Sequence, residues 1–108
     1  MKIEHYTCQY VDIKIPINDP GYPQIQPGQM LVSEFSPGSY ACCKLHCPCG
    51  CGQWILLTLQ NSEYKHPGYW WTLTVDEKNQ PTIVASVNMF GFPCKSHFWI
   101  TGGKVIWA

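Results

Sequence analysis

Cysteines carry most of the chemistry available to this sequence. Cys47, Cys49 and Cys51 lie in the block His46-Cys47-Pro48-Cys49-Gly50-Cys51-Gly52, and 42 residues separate them from Cys94-Lys95-Ser96-His97. Two short ligand groups joined by a long loop are the usual layout of a structural zinc site, and thiolate and imidazole are the ligands zinc prefers. Their softness argues against calcium or magnesium. An iron–sulfur cluster would have to accept a histidine, and no ferredoxin spacing is present. Pro48 and Gly50 allow the backbone to reverse tightly, so that two thiolates of the block can aim at one point. Five side chains compete for four positions. The favoured set is Cys47, Cys49, Cys94 and His97, with Cys51 as the alternative to Cys49 or as a further thiol nearby. In the competing arrangement Cys51 completes a four-cysteine site and His97 is an ordinary polar residue beside an aromatic strand.

The remaining thiols, Cys8, Cys42 and Cys43, bring the total to seven, an odd number. In a reducing compartment that richness points to metal binding before disulfides. These three are expected to be small hydrophobes of the interior, with Cys42 and Cys43 on opposite faces if they share a strand. Ser86 stands eight residues before Cys94. If the second metal arm folds back, Ser86 comes near His97 or His66, and a serine beside a histidine is a nucleophile–base pair. The plain alternative is a strand serine and, for His66, a turn residue before Pro67-Gly68. There is no Gly-x-Ser-x-Gly elbow, no His-Glu-x-x-His helix and no spaced pair of carboxylates for acid–base work. Trp70 and Trp71 are neighbours, so a strand through them turns one outward, where tryptophan often anchors an interface; the alternative is that loops shield both.

These side chains need a scaffold, and 108 residues suffice for one domain, spanning 1–108. A chain of this size is only marginally buried, so a metal staple helps it. Seven basic and seven acidic residues cancel, which argues against nucleic acid, where phosphate neutralisation dominates affinity, and against a polybasic membrane-surface module. No apolar run approaches the ~20 residues that span a bilayer. The polar start Met1-Lys2-Ile3-Glu4-His5 lacks a signal-peptide core, and a cytosolic location is expected.

Nine prolines and nine glycines divide the chain into short apolar stretches rich in β-branched and aromatic residues, which favours strands. Val11–Ile15 alternates and reads as a half-buried strand ended by Pro16. Pro16–Gly28 reads as a long irregular loop, so that 1–28 forms an irregular N-terminal part and 29–108 the core. Met30–Val32 reads as a short strand, Ser36–Ser39 as a turn, and Tyr40–Leu45 as a strand entering the cysteine block. Trp54–Leu59, continuously apolar, reads as a central strand buried on both faces. Tyr69–Val75 and Thr82–Val87 follow as strands. Gly102-Gly103 between Phe98–Thr101 and Lys104–Trp107 is a strong hairpin signal, because a primed turn needs φ > 0 at both positions. The expected fold is all-β: a small antiparallel sheet or sandwich stapled by one zinc site, with long irregular loops.

The same residues carry a resemblance. The block His46 to Gly52, a tryptophan at Trp70 or Trp71, Ser86, and Cys94-x-x-His97-Phe98-Trp99-Ile100-x-x-Gly103-x-Val105-x-Trp107 together resemble the bacterial family catalogued as domain of unknown function 6527. The resemblance covers about Gly28 to Trp107. Members occur in operons beside ubiquitin-like proteins and their activating and conjugating enzymes. It implies a metal-containing peptidase that trims a ubiquitin-like precursor or removes it from targets, with the cysteine block and Cys94/His97 as metal site and Ser86 as the catalytic serine. Two mechanisms fit: an open zinc held by Cys47, Cys49 and Cys94 that activates water with His97 as base, or a closed structural zinc with Ser86 as nucleophile. Four thiolate or imidazole ligands favour the second. The competing function is a non-catalytic, zinc-stapled module that binds a ubiquitin-like or other protein through its aromatic surface.

Overall fold

The computed structural model describes residues 2–16, 18–60, 70–89 and 91–108. Among the described residues there are eight strands and no helix. They are β1 (Thr7–Asp12), β2 (Gln29–Ser36), β3 (Ser39–His46), β4 (Trp54–Thr58), β5 (Thr72–Val75), β6 (Pro81–Asn88), β7 (His97–Thr101) and β8 (Lys104–Trp107). The first four form one sheet in the order β1-β2-β3-β4, and the last four a second sheet in the order β5-β6-β7-β8. Only the β1–β2 pair is parallel; the other pairs are antiparallel.

Period-two alternation builds the interior. In β4 and β7 buried and exposed residues alternate strictly, so one face of each strand turns inward. Leu45 and Leu57 from the first sheet, with Tyr6 just before β1, meet Ile83, Phe98 and Ile100 from the second in one core. Fully burying a side chain of this size is worth about 1.5–3 kcal/mol. A smaller cluster of Val11, Ile25 and Leu31, with Ile15 and Tyr22 against it, packs the segment between β1 and β2 onto the outer face of the first sheet.

The sheets also touch at both edges. His5 bridges Lys104, and the Tyr6 N–H donates to the Gly103 carbonyl at 2.7 Å. At the opposite edge Leu59 bridges Trp71, and the Gln60 N–H donates to the Trp71 carbonyl at 2.8 Å. These two seams occupy backbone groups that open sheet edges would present to other chains.

Several elements differ from their expected form. β1 begins and ends earlier than Val11–Ile15. It stops at Asp12, whose carboxylate accepts the Lys14 N–H at 2.9 Å while its carbonyl accepts the Ile15 N–H at 3.0 Å, a side-chain-stabilised turn. Residues 7–12 therefore form a strand within the N-terminal part read as irregular. The short strand at Met30–Val32 extends to eight residues. β4 is not a central strand buried on both faces. It is the last strand of its sheet, and Leu56 is 65% exposed. An unbroken apolar run carries no record of which face is covered. The Gly102-Gly103 hairpin forms as expected, with φ of 55° and 80°. The expected turn at His66-Pro67-Gly68 and the start of the strand at Tyr69 lie outside the described residues. No helix among the described residues is long and apolar enough to cross a membrane.

Candidate active site and metal centre

The two cysteine arms are connections between neighbouring strands, one from each sheet. The first joins β3 to β4. The Cys47 N–H donates to the Gln53 carbonyl at 2.8 Å, and the Gly50 N–H returns to the Cys47 carbonyl at 3.1 Å. Gly50 and Gly52 take φ of 85° and 83°, values that favour glycine. Buried Tyr6 donates its hydroxyl to the His46 carbonyl and anchors the strand end just before Cys47. The second arm joins β6 to β7. It is folded by the Phe92 N–H donating to Met89, the Lys95 N–H donating to Phe92, and the Met89 N–H donating to Ser96, at 2.9, 3.0 and 2.7 Å.

The arms bring Cys47, Cys49, Cys51 and Cys94 together, with all four sulfurs within 4.8 Å of one another. The Cys47 sulfur lies 3.4 Å from that of Cys49 and 3.8 Å from that of Cys94, and Cys51 and Cys94 are 3.6 Å apart. All four are free thiols, and four soft donors converging in this way can hold one metal ion. The grouping matches the four-cysteine alternative: Cys51 stands where the favoured set had His97. Ser96, 5% exposed, belongs to the second arm and reaches a sulfur of each arm. Its hydroxyl donates to the Cys94 sulfur at 3.3 Å and accepts from the Cys47 thiol at 3.5 Å. That hydroxyl draws the Cys94 thiol below its ordinary range. For Cys49, burial works upward, but hydrogen bonds led by Ser96 outweigh it and bring the thiol to about 6. Burial pushes Cys47 up to about 12.

His97 is drawn to a different partner. Its Nε2 lies 3.0 Å from the Ser86 Oγ. With the ring proton on Nδ1, Nε2 accepts the serine hydroxyl, the arrangement a general base requires. A bulge in β6 makes this contact. Ile83 pairs with Ile100 and Val87 with Phe98, so β6 spends four steps where β7 spends two. Such bulges re-aim side chains and recur beside active sites. The Val84–Ala85 peptide in the same stretch is cis. The Trp71 indole N–H donates to the Ser86 carbonyl at 3.2 Å and so holds the bulge from β5's side. Among the described residues no carboxylate hydrogen-bonds the His97 ring. Ser86 and His97 thus form a hydrogen-bonded dyad among the described residues; Glu63 and His66, the other histidine weighed as a base, lie outside them.

Trp70 and Trp71 are both half-buried, and Trp71 packs on the core. The exposed tryptophans are instead Trp54, Trp99 and Trp107. Cys8 and Cys43 are buried and Cys42 is half-buried; burial raises the Cys8 thiol to about 12 and pushes Cys43 higher still, as inert interior thiols require. Two cavities of about 300 Å³ open on the outer face of the first sheet around Tyr22, Lys44 and Trp54, and neither is lined by the dyad or the four thiols. Sequence reasoning missed Ser96 and the Trp71 indole contact. Neither has a motif, since each acts only through the folding of other segments.

The fold and site define an all-β protein of two small sheets that carries a four-thiol cluster and an adjoining serine–histidine pair. The chain belongs to the family described as the bacterial ubiquitination-like system serine protease (BubE), which it matches over residues 17–108. Comparisons with curated proteins and with solved structures gave no match.

Proposed function

We propose that this chain is a serine peptidase that processes or removes a ubiquitin-like protein, with Ser86 as nucleophile, His97 as base and the four thiols holding a structural zinc. The observation that carries the reading is the 3.0 Å contact between the Ser86 Oγ and the His97 Nε2, in a chain of a serine-protease family of a bacterial ubiquitination-like system. On this reading the Ser86 oxygen attacks the scissile carbonyl while His97 takes its proton. The imidazolium then protonates the leaving amine, and water, activated by the same histidine, hydrolyses the acyl-enzyme.

Zinc suits the thiol cluster on geometry and chemistry. Four sulfurs at about 2.3 Å from a tetrahedral zinc lie about 3.8 Å apart, close to the 3.4, 3.8 and 3.6 Å of the Cys47–Cys49, Cys47–Cys94 and Cys51–Cys94 pairs, in a cluster whose sulfurs all lie within 4.8 Å of one another. Four thiolates close the coordination sphere, so the ion's contribution is a crosslink between the β3–β4 and β6–β7 connections. Ser96 would then donate to a ligand sulfur from the second layer, which fixes ligand orientation. Seven free cysteines also suit a reducing compartment such as the cytosol.

The test is cleavage of a ubiquitin-like protein that carries a C-terminal extension. The purified chain should remove the extension, and Ser86→Ala should slow removal by about 10³-fold or more, while Cys42→Ser leaves it intact. Binding without cleavage, or cleavage that survives Ser86→Ala, would contradict the assignment.

A further inference from the structure

The dyad opens onto an apolar strip that the reaction chemistry leaves unused. Exposure alternates along β7, so His97, Trp99 and Thr101 face outward while Phe98 and Ile100 enter the core. Trp99 pairs directly with Ile106 of β8, and the two are 42% and 47% exposed. Val84, at the start of the bulge that carries Ser86, is 56% exposed. Strands β5 to β8 contain no acidic residue, and their one lysine, Lys104, lies at the far end of the strip, opposite Thr101; Glu4, from the segment before β1, lines a cavity with Lys104 and Ile106.

The position of the strip relative to the nucleophile decides its use. His97 is exposed and reaches Ser86 from the outer face of the second sheet, so a peptide bond under attack must lie over that face. Alternate residues on one strand face are about 6.6 Å apart, and neighbouring strands about 4.8 Å. Trp99 therefore lies one outward step from the base, and Ile106 one strand further across. An extended substrate advances about 3.3 Å per residue, which places Trp99 and Ile106 beneath a side chain within two residues of the cut.

We propose that Trp99 and Ile106 form an apolar subsite that selects a hydrophobic side chain within two residues of the scissile bond and disfavours an acidic one. This rests on Ser86 being the nucleophile. The favoured occupant is an extended protein segment, such as a tail, because Trp99 and Ile106 are exposed cross-strand neighbours beside the dyad, a row of contacts that an extended chain lying along the strand can follow.

Mass-spectrometric profiling of the cleavage sites that the full chain makes in a mixed peptide library tests it. Leu, Met, Phe or Val should exceed Asp and Glu by about tenfold at one position within two residues of the cut. Trp99→Ser should reduce that preference to within about threefold while other positions keep theirs. Ile106→Ser, a second exposed site, should weaken the same position. A flat profile, or a preference that survives both substitutions, overturns the subsite even where cleavage depends on Ser86. Cleavage that persists in Ser86→Ala, or no cleavage at all, overturns the subsite together with the nucleophile on which it rests.

Discussion

Three side chains around the β6 bulge divide the work on this reading. Ser86 supplies the oxygen, His97 accepts its proton at 3.0 Å, and the Trp71 indole N–H holds the Ser86 carbonyl at 3.2 Å. A single hydrogen bond of this kind is worth about 1 kcal/mol net, but small misplacements of a nucleophile cost far more in rate than in stability. Trp71→Phe keeps most of the ring and removes the donor. It should lower kcat on the order of tenfold, leave KM within about twofold, and shift the melting temperature by only a few degrees; steady-state kinetics beside a thermal melt read both. The thiols were legible at this scale because their chemistry is written in residue type. Which four converge was not, because Cys49, Cys51 and His97 are all suitable donors at suitable spacing. The β6–β7 connection turns Cys94 toward the block, and β7 then carries His97 onto the outer face beside Ser86.

At the scale of elements, the site is assembled from irregularities in otherwise regular sheets. The bulge between Ile83 and Val87 sets Ser86, and the two connections set the thiols. The hairpin at Gly102-Gly103 was readable because two glycines with positive φ between apolar strands have few other uses. β4's place at the end of its sheet was not, since an unbroken apolar run does not reveal its neighbours. The bulge left no mark on the sequence either, because Val84-Ala85-Ser86 suits a regular strand equally well. Gly103 also serves the seam between the sheets. A Cβ there would lie 2.7 Å from the Tyr6 carbonyl oxygen, at a φ of 80°. Gly103→Ala should destabilise the fold by about 1–3 kcal/mol, a loss of roughly 5–20 °C in melting temperature for a domain of this size. An unchanged melt would show that the seam contributes little.

Across the whole molecule, the thiol cluster joins a connection of the first sheet to one of the second, and the second connection runs directly into His97. The two sheets share one core, and an ion bound by the four thiols, as proposed, would add a clamp that supplies much of the stability margin of a chain this short. Removing the ion with a strong chelator should therefore unfold the protein or sharply lower its melting temperature, with activity lost in parallel; circular dichroism during chelation and zinc re-addition measures it. The all-β class followed from short apolar stretches cut by glycine and proline. The seam at one edge depends on a contact between residues about a hundred positions apart, His5 with Lys104, and the seam at the other on Leu59 with Trp71 across the connection between the sheets; local patterning encodes neither.

On the proposed function Ser86 is a nucleophile made reactive by His97. A fluorophosphonate, which modifies activated serines, tests this on the intact protein when the adduct is mapped by peptide mass spectrometry. One adduct is expected, on Ser86, and its formation should fall by at least about a hundredfold in His97→Gln. An adduct on another residue, no adduct at all, or labelling of Ser86 at an unchanged rate in His97→Gln would contradict it.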